Sequence, residues 1–189
     1  MHRLRFPFLG YTVVLHWSWL IAVTLITWSL ATGYYPTIWP DYPHALYWAS
    51  GLLSTFLLFF SILLHECAHA GVASAHHIPI KEIMLHIVGG WTMLPRELSN
   101  PRLEAIVAVA GPLCSAIIGV LLWPLSDFPI AAYIMKFNFI LAGYNLVPAF
   151  PMDGGRVLRA WYWHQCGSFA QATERAALLG KRIAIGMMV

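Results

Sequence analysis

From Gly51 to Leu64 the chain carries no charged residue, and it then runs without a break into His65-Glu66-Cys67-Ala68-His69. That junction constrains the fold more than any other feature. The two histidines and the carboxylate must sit at or near membrane depth, where ionisable groups are costly and mark function by default. Four residues is just over one helical turn, so both imidazoles project from one face, with Glu66 close enough to reach a water on the same ion. The H-E-x-x-H spacing is that of a zinc hydrolase. A buried ion pair between glutamate and histidine is the plain structural alternative.

Composition agrees with membrane depth. Of 189 residues, 59% are hydrophobic and 10% charged, with a mean hydropathy of +0.67; soluble domains are nearer a quarter charged. Nine Trp and eight Tyr suit a protein with long headgroup boundaries. No stretch reads as a cleaved leader. A net charge of +3 without basic clusters argues against nucleic acid as a partner. Cys67, Cys114 and Cys166 are isolated and read as packing residues, not as a disulfide framework or thiolate site.

The apolar pattern predicts spans over about 16–33, 46–72, 103–123 and 130–147, with a fifth beginning near Ala176 and cut off at Val189. The third holds a break at Ala110-Gly111-Pro112, and the basic, partly alternating segment from Arg3 to Val14 suits a short strand. The fold class expected is an all-α polytopic membrane protein of about five to six helices, the last truncated, with a small membrane-associated β-hairpin or sheet. One transmembrane metalloprotease domain would cover 1–189, with its core at 45–160.

Every Lys and Arg between spans falls on one side. Arg3 and Arg5 precede the first span, Lys81, Arg96 and Arg102 follow the second, and Arg156, Arg159 and Arg175 follow the fourth; 34–45 and 124–129 have none. The positive-inside rule makes the N-terminus cytoplasmic in a multi-pass protein of the inner membrane. Entering from outside near Leu46, the second span carries His65 roughly 28 Å inward at about 1.5 Å per residue, close to the inner side of a hydrocarbon core about 30 Å thick. Lys136, near the outer end of the fourth span, snorkels outward.

A catalytic zinc needs three protein ligands and an open position. The metzincin extension would need Gly at 72 and His at 75, but Val72 and Ala75 stand there, and His76 and His77 are off register. Glu82, Glu97 and Glu104 read as solvated charges in, or at the edge of, a cytoplasmic loop. Asp153, in Asn145-Leu146-Val147-Pro148-Ala149-Phe150-Pro151-Met152-Asp153-Gly154-Gly155, arrives after the fourth span at the depth of His65. Its alternative reading is an ordinary Pro, Asp and Gly turn.

H-E-x-x-H at the inner end of one span, followed by an N-x-x-P-x-x-x-x-D-G segment after another, resembles the site-2 protease family of intramembrane zinc metalloproteases. Gly89-Gly90, Gly111-Pro112 and His16-Trp17-Ser18 also look like that family, over about residues 10–160. Its prokaryotic branch often carries C-terminal CBS domains, which this chain lacks. The resemblance implies one Zn2+ per chain on His65, His69 and Asp153, Glu66 as general base, and Asn145 positioning substrate or stabilising the oxyanion. It implies transmembrane protein substrates in a lipid bilayer, and it leaves room for a homo-oligomer and for nucleotide regulation through the missing CBS domains. A bis-histidine haem or quinone protein explains neither Glu66 nor the Asp-Gly segment. A non-cleaving relative would not need Glu66, and a soluble-type glutamate-ligand site would not need Asp153.

The segment from Pro79 to Leu94 is apolar, but Lys81, Glu82, His86 and Gly89-Gly90 make it a poor spanning helix. Ile83-Met84-Leu85-His86-Ile87-Val88 suits a strand, and the glycines a turn. We expect a re-entrant hairpin near the metal whose open edge, at 83–88, receives the unwound substrate as an added strand. An interfacial loop is the alternative.

Overall fold

The computed structural model describes residues 3–80, 82–87, 89–92 and 98–186. Lys81, Arg96 and Glu97, used above, lie outside them, as do Val88, Met93 and Leu94 of the hairpin segment.

The chain opens with a hairpin, β1 (Arg3–Phe8) and β2 (Tyr11–His16), turning at Leu9 and Gly10, both in the left-handed region. Helix α1 (Ser18–Ser29) runs through a π-helical turn, Leu30–Tyr34, into a short α2 (Tyr35–Ile38). The 32-residue α3 (His44–Ala75) carries the histidine motif in its last third. Strands β3 (Ile83–His86) and β4 (Gly89–Thr92) follow, then α4 (Pro101–Leu122) and α5 (Pro129–Asn145), and finally α6 (Asp153–Cys166) and α7 (Phe169–Gly186).

The strands form one sheet in the order β1-β2-β3-β4, antiparallel except for the parallel β2–β3 pair. Both expected strand segments are therefore present, in a single mixed sheet. The edge assignment needs correction: β3 pairs with β2 on one side and β4 on the other, so among the described residues the open edge next to α3 belongs to β4, not to 83–88. Leu15 of β2 aligns with Leu85 and fills that edge of β3. The His16-Trp17-Ser18 motif ties this sheet to α1: Ser18 Oγ lies 2.8 Å from His16 Nδ1 and accepts from Ile87 N at 3.3 Å, at the β3–β4 turn.

α3 is the axis of the helical part. Gly51 lets α1 approach it, since a Cβ there would lie 3.0 Å from Thr27 O, and Thr27 Oγ1 donates to Thr55 Oγ1 at 3.0 Å. Farther in, Leu58, Phe59, Ile62 and Leu63 bury against Val13, Ile83 and Ile134, joining helix, sheet and α5 in one core. α4 starts on an Asn100 cap whose side chain accepts from Leu103 N at 2.8 Å. It passes through Pro112 as one helix, so the expected break is absent. A spanning helix tolerates proline where packed neighbours and small local adjustments satisfy the freed carbonyl.

Among the described residues, two helices are long and apolar enough to cross a membrane, His44–Ala75 and Pro101–Leu125. The other expected spans are also helical: α1 continues through the π-helical turn into α2, from Ser18 to Ile38, and α5 has 17 residues. The stretch expected to start at Ala176 belongs to α7, which begins at Phe169 and carries Glu174, Arg175, Lys181 and Arg182. Leu52, Leu53, Phe56 and Phe60 of α3 and Leu113, Ile117, Val120 and Leu121 of α4 point outward and stay exposed, an apolar surface larger than a water-facing protein carries.

Candidate metal centre

Two elements build one polar cluster in this apolar frame. His65 and His69 leave the same face of α3, and Asp153 is the first residue of α6. His65 Nε2 and His69 Nε2 are 3.3 Å apart, and Asp153 Oδ2 lies 3.3 and 3.1 Å from them. All three residues are buried, with candidate donor atoms within 4.8 Å of one another.

The donor set suits a divalent ion of borderline softness. Two imidazole nitrogens and a carboxylate oxygen leave a fourth tetrahedral position open. The outer ring nitrogens are already engaged: His69 Nδ1 donates to Val107 O at 2.7 Å, and His65 Nδ1 lies 2.9 Å from Ser115 Oγ. His69 is thereby held as the Nδ1–H tautomer, which turns the Nε2 lone pair into the cluster. Both partners come from α4, eight residues apart on one stripe whose middle is Gly111. A Cβ at Gly111 would stand 2.3 Å from His69 Nε2 and 2.6 Å from His65 Nε2. Glycine here is a close-approach requirement: the α4 backbone lies directly against the candidate ligands.

Glu66 is buried beside the cluster and faces the sheet. Thr92 Oγ1 donates to its Oε2 at 2.6 Å, and Gly90 of β4 leaves no room for a Cβ, which would be 2.6 Å from Glu66 Cγ. The Gly89-Gly90 pair therefore permits a close backbone approach to the carboxylate as well as a turn.

Asp153 owes its place to tight packing behind it. Added Cβ atoms would lie 2.3 Å from Leu146 O at Gly154 and 2.7 Å from the Ala149 carbonyl carbon at Gly155. The helix start is thus pressed onto the 146–150 loop. α6 is clamped to α4 by Arg159, whose Nε donates to Glu104 Oε1 at 2.9 Å, with a second, closer bond from Nη2. The Arg159 guanidinium also lies over the Phe150 and Phe169 rings, at 5.3 and 4.6 Å. Glu104 is not the solvated charge expected. It is 1% exposed, because the α4–α6 contact closes over it.

The remaining candidates make other contacts. Asn145 ends α5, half-buried, and its amide donates to Leu141 O at 3.0 Å, back along its own helix. Glu82 pairs with Arg5 at 3.2 Å across the sheet. His76 Nδ1 donates to Val72 O at the end of α3. All three cysteines are free, and Cys67 packs in the core as read. Sequence reasoning missed Thr92, Ser115 and the Glu104–Arg159 pair, for which no short-range pattern exists.

No family model matches the chain. It is 35% identical over 187 residues to Rip3 of Mycobacterium tuberculosis, a match covering 93% of this chain and 47% of that protein. It is 36% identical over 154 residues to a zinc metalloprotease of Methanocaldococcus jannaschii, covering 77% of this chain and 44% of the relative. The chain thus spans about half the length of the curated relatives it matches. Among solved structures, a site-2 protease from Methanocaldococcus jannaschii matches with a TM-score of 0.69 at 31% identity, over 99% of this chain and 83% of that one.

Proposed function

This chain belongs to the site-2 protease family, and from that membership we propose that it is an intramembrane zinc metalloprotease, hydrolysing peptide bonds within or near transmembrane segments of other proteins. The observation that carries the proposal is the meeting of His65, His69 and Asp153 within 4.8 Å, across 88 residues of chain, beside Glu66. His65, His69 and Asp153 hold one zinc per chain. When bound, the metal polarises the scissile carbonyl and makes water nucleophilic near neutral pH.

Glu66 takes the proton of the attacking water and delivers it to the leaving amine. Its Oε2 is fixed by Thr92, and its Oε1 carries no hydrogen bond among the described residues. A helix hides its peptide bonds, so the substrate must unwind to reach the site. The open edge of β4, which touches α3 at Glu66, receives the unwound segment as a fifth strand and holds it extended.

The chain acts as one multi-pass catalytic domain over 1–189 with its core at 45–160, in the inner membrane, its N-terminus and cluster toward the cytoplasm. The basic bias of the loops and the apolar outer faces of α3 and α4 support this. Cysteine at position 38, in a background lacking Cys67, Cys114 and Cys166, should label from the outside; labelling from the inside alone would reverse the topology.

Metal analysis paired with cleavage of a model transmembrane substrate tests the activity. Glu66→Gln should keep zinc and lose cleavage, and Asp153→Ala should lose both. Full zinc occupancy and parental cleavage in Asp153→Ala would remove the assignment.

A further inference from the structure

Asn145, to which the family resemblance gives the oxyanion, turns its amide back onto Leu141. A second donor stands beside the cluster. Arg156 lies three residues after Asp153 on the same face of α6, its side chain 19% exposed. Its Nη1 stops 3.9 Å from Asp153 Oδ1, an ion pair too long for a hydrogen bond. Among the described residues its guanidinium makes no hydrogen bond at all. Arg159, one turn further on, is the contrast, bonded twice to Glu104 and stacked on two rings.

A guanidinium presents five N–H donors in a fixed fork, and here they remain available to an acceptor that enters. The approach of Nη1 to Asp153 Oδ1 puts these donors directly beside the candidate ligand set. Gly154 and Gly155, pressed onto the 146–150 loop, fix the helix turn that carries Arg156.

We propose that Arg156 binds the backbone oxygen of the substrate that becomes anionic, first on the scissile carbonyl and then in the product carboxylate. In the reaction the water oxygen bonds to the carbonyl carbon while the π pair moves onto the carbonyl oxygen, beside Arg156. The pair then returns, the C–N bond breaks, and the proton taken by Glu66 goes to the amine; the proton left on the former water oxygen follows it to the amine, giving a carboxylate and an ammonium. Arg156 is thus a catalytic residue in the sense of touching the reacting oxygen, and the assignment rests on the proteolytic reading of this site.

Binding without turnover tests it. The zinc-loaded protein in detergent is titrated with a short apolar peptide ending in a free carboxylate, and with the same peptide as its carboxamide. The parent should prefer the carboxylate, Arg156→Gln should lose at least tenfold of that preference with zinc per chain unchanged, and Arg156→Lys should keep part of it. With a transmembrane substrate, Arg156→Gln should lower kcat by about 10²–10³-fold with little change in KM, the size of effect known for loss of one oxyanion donor. A parent without preference, or an unchanged preference in Arg156→Gln, overturns the proposal. So does loss of zinc from both variants, because the guanidinium then serves only to hold Asp153. Failure of the parent to cleave would count against the proteolytic reading alone, since peptide binding is read separately.

Discussion

Thr92 Oγ1 donates a 2.6 Å hydrogen bond to Glu66 Oε2, so the last residue of the edge strand holds the carboxylate next to the candidate ligands His65 and His69. The same strand presents the open edge of the sheet, which couples the place where a substrate strand would dock to the aim of the base. Thr92→Val keeps the shape and removes the donor. It should lower turnover by about ten- to a hundredfold, since a misplaced catalytic group loses its near-attack geometry. Zinc per chain should stay unchanged and Thr92→Ser should restore most of the rate; a Val variant with parental kcat would show that the bond is only structural.

Gly111 offers a test of the close α4 approach. Its substitution by alanine would drive a Cβ into the His69 and His65 Nε2 atoms at 2.3 and 2.6 Å. Neither ring can retreat, because Val107 O and Ser115 Oγ hold their far nitrogens. Gly111→Ala should therefore lose most bound zinc and about 1–3 kcal/mol of stability from overpacking. Zinc content and a thermal melt of the purified protein measure the two effects.

Ser115→Ala removes one orienting bond and leaves every candidate ligand in place. Zinc affinity should weaken by roughly 10- to 100-fold, the usual cost of losing a partner behind a ligating histidine. Competition with a chelator of known affinity reads the change directly. Equal affinities would mean that the helix alone orients His65.

Breaking the α4–α6 clamp should be expensive in an asymmetric way. Arg159→Met leaves Glu104, 1% exposed and already with one oxygen lacking a partner, as an uncompensated buried charge. The loss should be about 3–5 kcal/mol. Adding Glu104→Gln should recover a large part of it, and a double-mutant cycle on thermal melts gives the coupling. Additive losses would place the energy in the Phe150 and Phe169 contacts instead.

How much of the site could be read from the chain alone depends on the range over which each relationship acts. His65, Glu66 and His69 lie within one helical turn, so the 3.6-residue period sets their common face before any packing. Strand patterns at 3–14 and 83–88 were likewise local, and both segments pair. The join to Asp153 spans 88 residues, and it was approached only through the sidedness of basic residues, which is a constraint of the bilayer and not of the fold. Glu104 was misread because a charge at a loop edge is usually solvated; its burial depends on Arg159, 55 residues later. The free sheet edge was misassigned because β2, far back in the chain, occupies β3. Periodicity therefore determined the helix with its candidate metal-binding face and the presence of a sheet. Which strand forms the edge of the described sheet, which carboxylate is buried, and the placing of Thr92 and Arg156 beside the cluster were decided by tertiary packing, since each is a contact between elements whose sequences carry no mark of one another.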